Sequence, residues 1–468
     1  MSAAAYDPAR AARRAAGLAR VCRAVGFATL AAIAVVAAFL LLRSLGTRLL
    51  DLPFAGSPLE LPIAILVGTV WALRRERAAM RRARGDAAAG SPAEGLLPQG
   101  SLPPRAAPLA LLLPLALVWP AMLLGCLDGP ARSWDGLVAW ELKTRSLHDD
   151  DPGSLYAPES SSWEPAGLEA TAVGGAPTGL RQDDFYRHSP GHPLLQPYLM
   201  ASLVEFVGWP GARFWHAWVW LAALCLLFGC ARRGPLAALL WAGIPLAFSL
   251  GGGSVDSGYA DGLVAFLLLA AGVGLLRHEP AWLVCALLAL PLAKREGALW
   301  ALLVAAAWLV ARFRPSLRIR TLTCVLPLAV ALVLALAPGL VPRALWLAGQ
   351  EPSAGLSGLA LALTWELRGA FAPNRFALLF VAALVAALLA LAARREDPTS
   401  PAGPPLPWLT AAILCALPLP FVLFPAADLE HHLRSTMDRL LLQVSGLVCV
   451  TVLAMAPPVT RVASASSP

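Results

Sequence analysis

Charge is scarce in this chain: Asp, Glu, Lys and Arg make up 14% of its 468 residues, while 58% are hydrophobic. That balance excludes an ordinary soluble domain of this length. Alternating polarity, which a membrane β-barrel needs, is also missing. Repeated apolar runs of helix length take its place, so the spans are expected to be helices. The eight cysteines show no CxxC or Cys/His spacing and fall almost entirely within apolar runs, which argues against a zinc site or a disulfide framework. No aromatic-basic module accompanies the net charge of +8, so nucleic acid is not an expected partner. An internal repeat, common in secondary transporters, is absent.

What is present is an all-α, polytopic transmembrane helical bundle of about 12 spans, with interfacial and re-entrant helices between them. The expected spans are 25–43, 59–74, 107–126, 213–230, 235–251, 258–276, 281–293, 297–311, 321–340, 376–393, 407–425 and 439–457. Residues 1–24 and 458–468 read as cytoplasmic tails around a single domain, 25–457. The first run lacks a small-residue cleavage site and reads as an uncleaved helix. Basic clusters at 10–20, 74–86, 232–233, 277–280, 312–320, 394–397 and 461 mark the cytoplasmic side by the positive-inside rule. They share one side only if 192–208, with two prolines and Glu205, does not cross. The outer loop 127–191 and the segments 341–375 and 428–439 then lie opposite, the middle one holding an amphipathic helix.

Polar residues cluster on that outer side. Asp135, beside Trp134, sits where the third span ends and an interface-lying helix begins; it is either a general base held at the lipid boundary or that helix's N-cap. His188 and His192 flank Pro190 and Gly191, which disfavour a regular helix, so they suit a lipid phosphate or a cap better than a metal, and the metal question stays open. Asp256 reads as a cap. Asp261, near the apolar run, needs a partner such as Lys294 or Arg295.

Those two cations belong to Lys294-Arg295-Glu296-Gly297, which separates two short apolar runs. At the bilayer centre each charge would cost about 2.5–3.5 kcal/mol, so a recessed outer loop is expected, with Gly297 permitting the turn. Cations on a face where the topology rule disfavours them point to an anion, a lipid phosphate. An internal pair, Lys294 with Asp261 or Arg295 with Glu296, competes nearly equally. Arg434 and Arg439 repeat the pattern before the last span, where snorkelling is the alternative.

Taken in order, Trp134-Asp135, the long outer loop, HSPGHPLLQPY, GYADGLVAF, LAKREG and Arg439 resemble the GT-C superfamily of integral-membrane glycosyltransferases, in its protein O-mannosyltransferase and aminoarabinose-transferase branch. The resemblance touches most of 107–445. It implies a GT-C-like fold in the cytoplasmic membrane with its site facing outward, and a polyprenyl-phosphate sugar as donor. It also implies an inverting displacement in which Asp135 deprotonates the acceptor hydroxyl. Lys294, Arg295, Arg434 and Arg439 would then stabilise the departing phosphate, with His188 and His192 holding that phosphate or a divalent ion. The chain differs from common members in carrying one acid where they often carry a pair, and HSPGHP where they carry HPP. Sugar and acceptor are not specified. A polytopic transporter or flippase for an anionic or lipid-linked substrate is the rival reading; it predicts charges deep within spans.

Overall fold

The computed structural model describes residues 8–50, 59–88, parts of 111–124, 142–148, 193–230, 240–244, 260–313, 317–336, 355–372, 376–396, 406–423 and 429–455. Every extended regular element among them is an α-helix, and none of the described residues forms a strand. In chain order these are α1 (Pro8–Leu50), α2 (Glu60–Ala88), α3 (Leu142–His148), α4 (Leu195–Cys230), α5 (Asp261–Leu276), α6 (Pro280–Ala293), α7 (Arg295–Phe313), α8 (Leu317–Leu336), α9 (Gly355–Ala370), α10 (Ala377–Glu396), α11 (Leu406–Ala416), α12 (Leu419–Leu423) and α13 (Leu429–Met455).

Two of them, over Ala16–Arg43 and Leu195–Cys230, are long and apolar enough to cross a membrane. Others contain shorter apolar stretches, such as Asp261–Leu276 and Pro280–Ala293.

The centre of the bundle is α5. Leu263 to Leu275 are buried on every face, as expected of a helix that is apolar all round. It packs against α13, α6 and α4, while α1 packs against α2, α4 and α6. Small residues allow the closest approaches: a Cβ on Gly446 would lie 2.7 Å from the Ala265 carbonyl oxygen of α5, and one on Gly68 would lie 2.6 Å from the Ala28 carbonyl oxygen of α1. Between α11 and α13, Thr410 and Thr451 share a hydrogen bond of 2.6 Å.

Ionic contacts mark two levels. At one, Arg23 donates to both carboxylate oxygens of Glu76, at 3.0 and 2.8 Å, and to the Gly229 carbonyl at 3.3 Å, while Arg75 pairs with Glu279. At the other, Arg43 and the Tyr198 hydroxyl both bind Glu60. Along α1 the step from Arg23 to Arg43 is about 30 Å, and along α2 that from Glu60 to Glu76 is about 24 Å. The slab between them is apolar.

The segment 192–208, expected not to cross, is helical from Leu195 and forms the first of two arms of α4. Gly208, with φ 68° and ψ 176°, breaks that helix two residues before Pro210. In a straight helix Gln196 and Trp215 would stand about 28 Å apart, yet they line a single cleft. The chain therefore bends back at Gly208. Tyr198 meets Glu60 at one ionic level and Gly229 meets Arg23 at the other, so the arm after the bend makes the passage between them.

Candidate functional site

Asp261 is the first residue of α5 and is 1% exposed. A carboxylate buried this deeply must have its lone pairs filled, and three donors do so. Its Oδ1 accepts from Lys294 Nζ at 2.7 Å and from Gln443 Nε2 at 2.6 Å, and its Oδ2 accepts from Arg439 Nε at 3.0 Å. The Gln443 carbonyl oxygen in turn accepts the Trp300 indole N–H at 2.8 Å. Residues from α5, the α6–α7 junction, α7 and α13 thus meet at one point.

The junction supplies Lys294 in an unexpected way. Expectation placed a recessed loop there, but the helices are separated by one residue: Lys294 is extended, at φ −158° and ψ 155°, between the end of α6 and the start of α7. The lysine is 3% exposed and points into the bundle, where Glu296 Oε1 lies 3.7 Å from its ammonium. Gly297 keeps an ordinary backbone conformation, so a turn does not explain it. Close approach does: a Cβ there would sit 2.0 Å from the Leu290 carbonyl oxygen.

Of the expected site residues, Asp261, Lys294 and Arg439 come together. It is Lys294 and Arg439 that hold the aspartate, with Arg295 facing a different neighbour. That neighbour is Lys143 of α3, itself 9% exposed. Burial, reinforced by the Arg295 charge, pushes the Lys143 ammonium down to about 8. Arg434 is exposed on the first turns of α13 and makes no part of the Asp261 network. Asp135, His188, His192 and Asp256 lie outside the described residues, as does most of the loop 127–191. The metal question therefore stays where the sequence left it; among the described residues, no group of three or more His, Cys, Asp or Glu side chains could hold an ion.

Two residues escaped sequence reading, the first although a signal existed. Gln443 lies one helical turn beyond Arg439, where the helix has become largely apolar, the spacing that puts both on one face. Glu366 sits in α9 with one carboxylate oxygen buried and unpartnered, and burial pushes its carboxyl up to about 8. The folded chain therefore holds a proton on Glu366 that the unfolded chain releases near pH 4.5. Stability falls as pH rises from there to about 8, by at most about 1.4 kcal/mol per pH unit. Substituting Glu366→Gln removes this slope: between about pH 6 and about pH 8 the melting temperature of the unsubstituted chain should fall relative to the variant's. Parallel melting curves across that range would show that Glu366 is not held neutral.

The arrangement can do one thing chemically. Two cationic side chains, Lys294 and Arg439, meet the buried Asp261, with Glu296 at 3.7 Å from the lysine and Arg295 next to it in sequence. Asp261 orients both, and a pair of converging cations of this kind is chemically suited to an anion. No protein-family model, curated protein or solved structure matches this chain, so the reading of function rests on its own residues.

Proposed function

We propose that the chain is a polytopic membrane glycosyltransferase of GT-C type. It takes a sugar from a polyprenyl-phosphate donor at the extracytoplasmic face of the cytoplasmic membrane. The observation that carries this reading is the Asp261–Lys294–Arg439–Gln443 network, which assembles cations at one end of an apolar bundle.

Membrane embedding is supported by the outward surface. Ile65 and Leu66 of α2, Leu326 and Val333 of α8, and Leu384 and Leu388 of α10 are all exposed, the pattern of faces turned to lipid. The two ionic levels are separated by roughly the thickness of a hydrocarbon core, about 30 Å. Orientation follows from charge. The level holding Arg23, Arg75 and Arg277 adjoins the basic segments and is cytoplasmic by the positive-inside rule, so the Asp261 network lies toward the opposite leaflet. Twelve spans remain the count this reading adopts.

Mechanistically, a lipid phosphate docks against Lys294 and Arg439, whose charges offset the negative charge that grows on it as the glycosidic bond breaks. Asp261 holds both cations in place before the donor arrives, so little reorganisation accompanies the reaction. Asp135 takes the proton of the acceptor hydroxyl as that oxygen attacks the anomeric carbon from the opposite side. A transporter would set its charges near the midplane. Here Asp261 and Lys294 occupy helix ends, which favours chemistry at a mouth.

The test uses right-side-out membrane vesicles supplied from outside with lipid-linked sugars extracted from the same cells. Sugar transfer is expected, and Asp135→Asn should lower it on the order of 100-fold or more while donor binding persists. Transfer that proceeds only in inside-out vesicles, or that is unchanged in Asp135→Asn, contradicts the reading.

A further inference from the structure

Helices α1 and α2 run antiparallel, with Arg43 meeting Glu60 at one end and Arg23 meeting Glu76 at the other. Both continue past the Arg23–Glu76 level, α1 by about 22 Å to Pro8 and α2 by about 18 Å to Ala88. On the way α2 keeps one face open. Leu66, Val70, Leu73, Arg74, Arg77 and Arg81 are all exposed and fall within an arc of about 100° around the helix. Leu61, Ala64 and Ala72, on the opposite side, are buried. The open face is therefore apolar up to Leu73 and cationic beyond it.

The acids around this cationic stretch are already engaged. Glu76 takes both of its hydrogen bonds from Arg23. Arg75 turns inward, lies over the Phe27 and Trp282 rings at 4.8 and 5.2 Å, and pairs with Glu279. Among the described residues no carboxylate pairs with Arg74, Arg77 or Arg81. Arg20 of α1 joins them: it is exposed and donates to Met80 Sδ at 3.4 Å, one residue from Arg81.

Depth identifies the partner. Along the helix axes Arg74 stands about 3 Å inside the Arg23–Glu76 level, while Arg77, Arg20 and Arg81 stand about 1.5, 4.5 and 7.5 Å outside it. The headgroup layer on each side of a bilayer's hydrocarbon core is about 5–8 Å deep. An acidic protein in the cytosol would instead meet the far end of the hairpin, where Arg14 is exposed about 14 Å beyond Arg23. The positive-inside rule asks for cations on this side, but not for their alignment with an exposed apolar stripe.

We infer that Arg20, Arg74, Arg77 and Arg81 form a binding surface for anionic phospholipid headgroups in the cytoplasmic leaflet. The guanidinium forks donate in pairs to phosphate oxygens, while the acyl chains lie along Leu66, Val70 and Leu73. The lipid supplies the negative charge that the described protein groups do not. This surface rests on the membrane placement proposed above and is independent of sugar transfer.

The experiment is native mass spectrometry of the full chain in detergent micelles, titrated with phosphatidylglycerol or with phosphatidylcholine carrying the same tails. Phosphatidylglycerol should bind at least about tenfold more tightly. Arg77→Gln should lower its affinity about fivefold, and the combined Arg74→Gln, Arg77→Gln and Arg81→Gln variant should bring it within about twofold of phosphatidylcholine. Arg14→Gln should change it by less than about twofold. Melting curves confirm that each variant is folded, and Arg77→Gln alone carries the test if the triple variant does not accumulate.

Equal affinity for the two lipids, an unchanged phosphatidylglycerol affinity in Arg77→Gln, or an equal loss in Arg14→Gln would overturn the inference and leave the membrane placement standing. A chain that stays dispersed without detergent or lipid would overturn both.

Discussion

Replacing Asp261 by Asn should destabilise the chain by about 3–5 kcal/mol, the typical result of removing one partner from a buried ion pair. The amide retains an oxygen that can accept from Lys294 or Gln443, but it removes the charge. Lys294, 3% exposed, is then left with Glu296 at 3.7 Å as its nearest described carboxylate. Arg439, with a side chain 17% exposed, can still reach solvent, so most of the loss falls on the lysine. For a chain of this size the melting temperature should drop by roughly 5–10 °C. Adding Lys294→Met to Asp261→Asn should recover half or more of that drop, because the uncompensated charge leaves with the lysine. A single variant that melts like the unsubstituted chain, or a double variant whose losses simply add, would show that the pair is not the keystone of the bundle's polar end.

The helical class could be read from the run lengths and the missing alternation of polarity. The observed ends of α5, α6 and α7 fall within three residues of those expected, because the polar breaks at Asp261, Arg277 and Lys294 interrupt otherwise uniform apolar sequence. The charge pattern also carried the meeting of Asp261 with Lys294, since each was a costly residue in an apolar setting and each required the other. What the sequence withheld is geometric. Spacing alone does not reveal that α4 bends back at Gly208, because a glycine two residues before a proline can end a helix, kink it or reverse it. Nor does it distinguish the two possible reasons for Gly297. The backbone is unexceptional there, and the constraint is the Leu290 carbonyl seven residues earlier, across the break at Lys294. The cleft shared by Gln196 and Trp215 belongs to the same class: Trp215, Trp220 and Trp241 read as ordinary apolar residues of a span until the fold sets them around one space.

The second large effect concerns the anion itself. Lys294 and Arg439 converge on Asp261 from different parts of the chain and form its charged partners. A charge-assisted hydrogen bond to a phosphate contributes more than a neutral one, so loss of either cation should weaken a lipid phosphate on the order of 10- to 100-fold. Arg439→Gln is the more informative substitution, because its partly exposed side chain is the less demanding to replace and Asp261 keeps Lys294 and Gln443.

The most direct measurement is the affinity of farnesyl phosphate for the chain in nanodiscs, compared with Arg439→Gln and Lys294→Met, each first confirmed as folded by its melting curve. The account predicts saturable binding that weakens at least about tenfold in both variants and also falls with added salt. Absence of binding, or equal affinity in all three proteins, would contradict it.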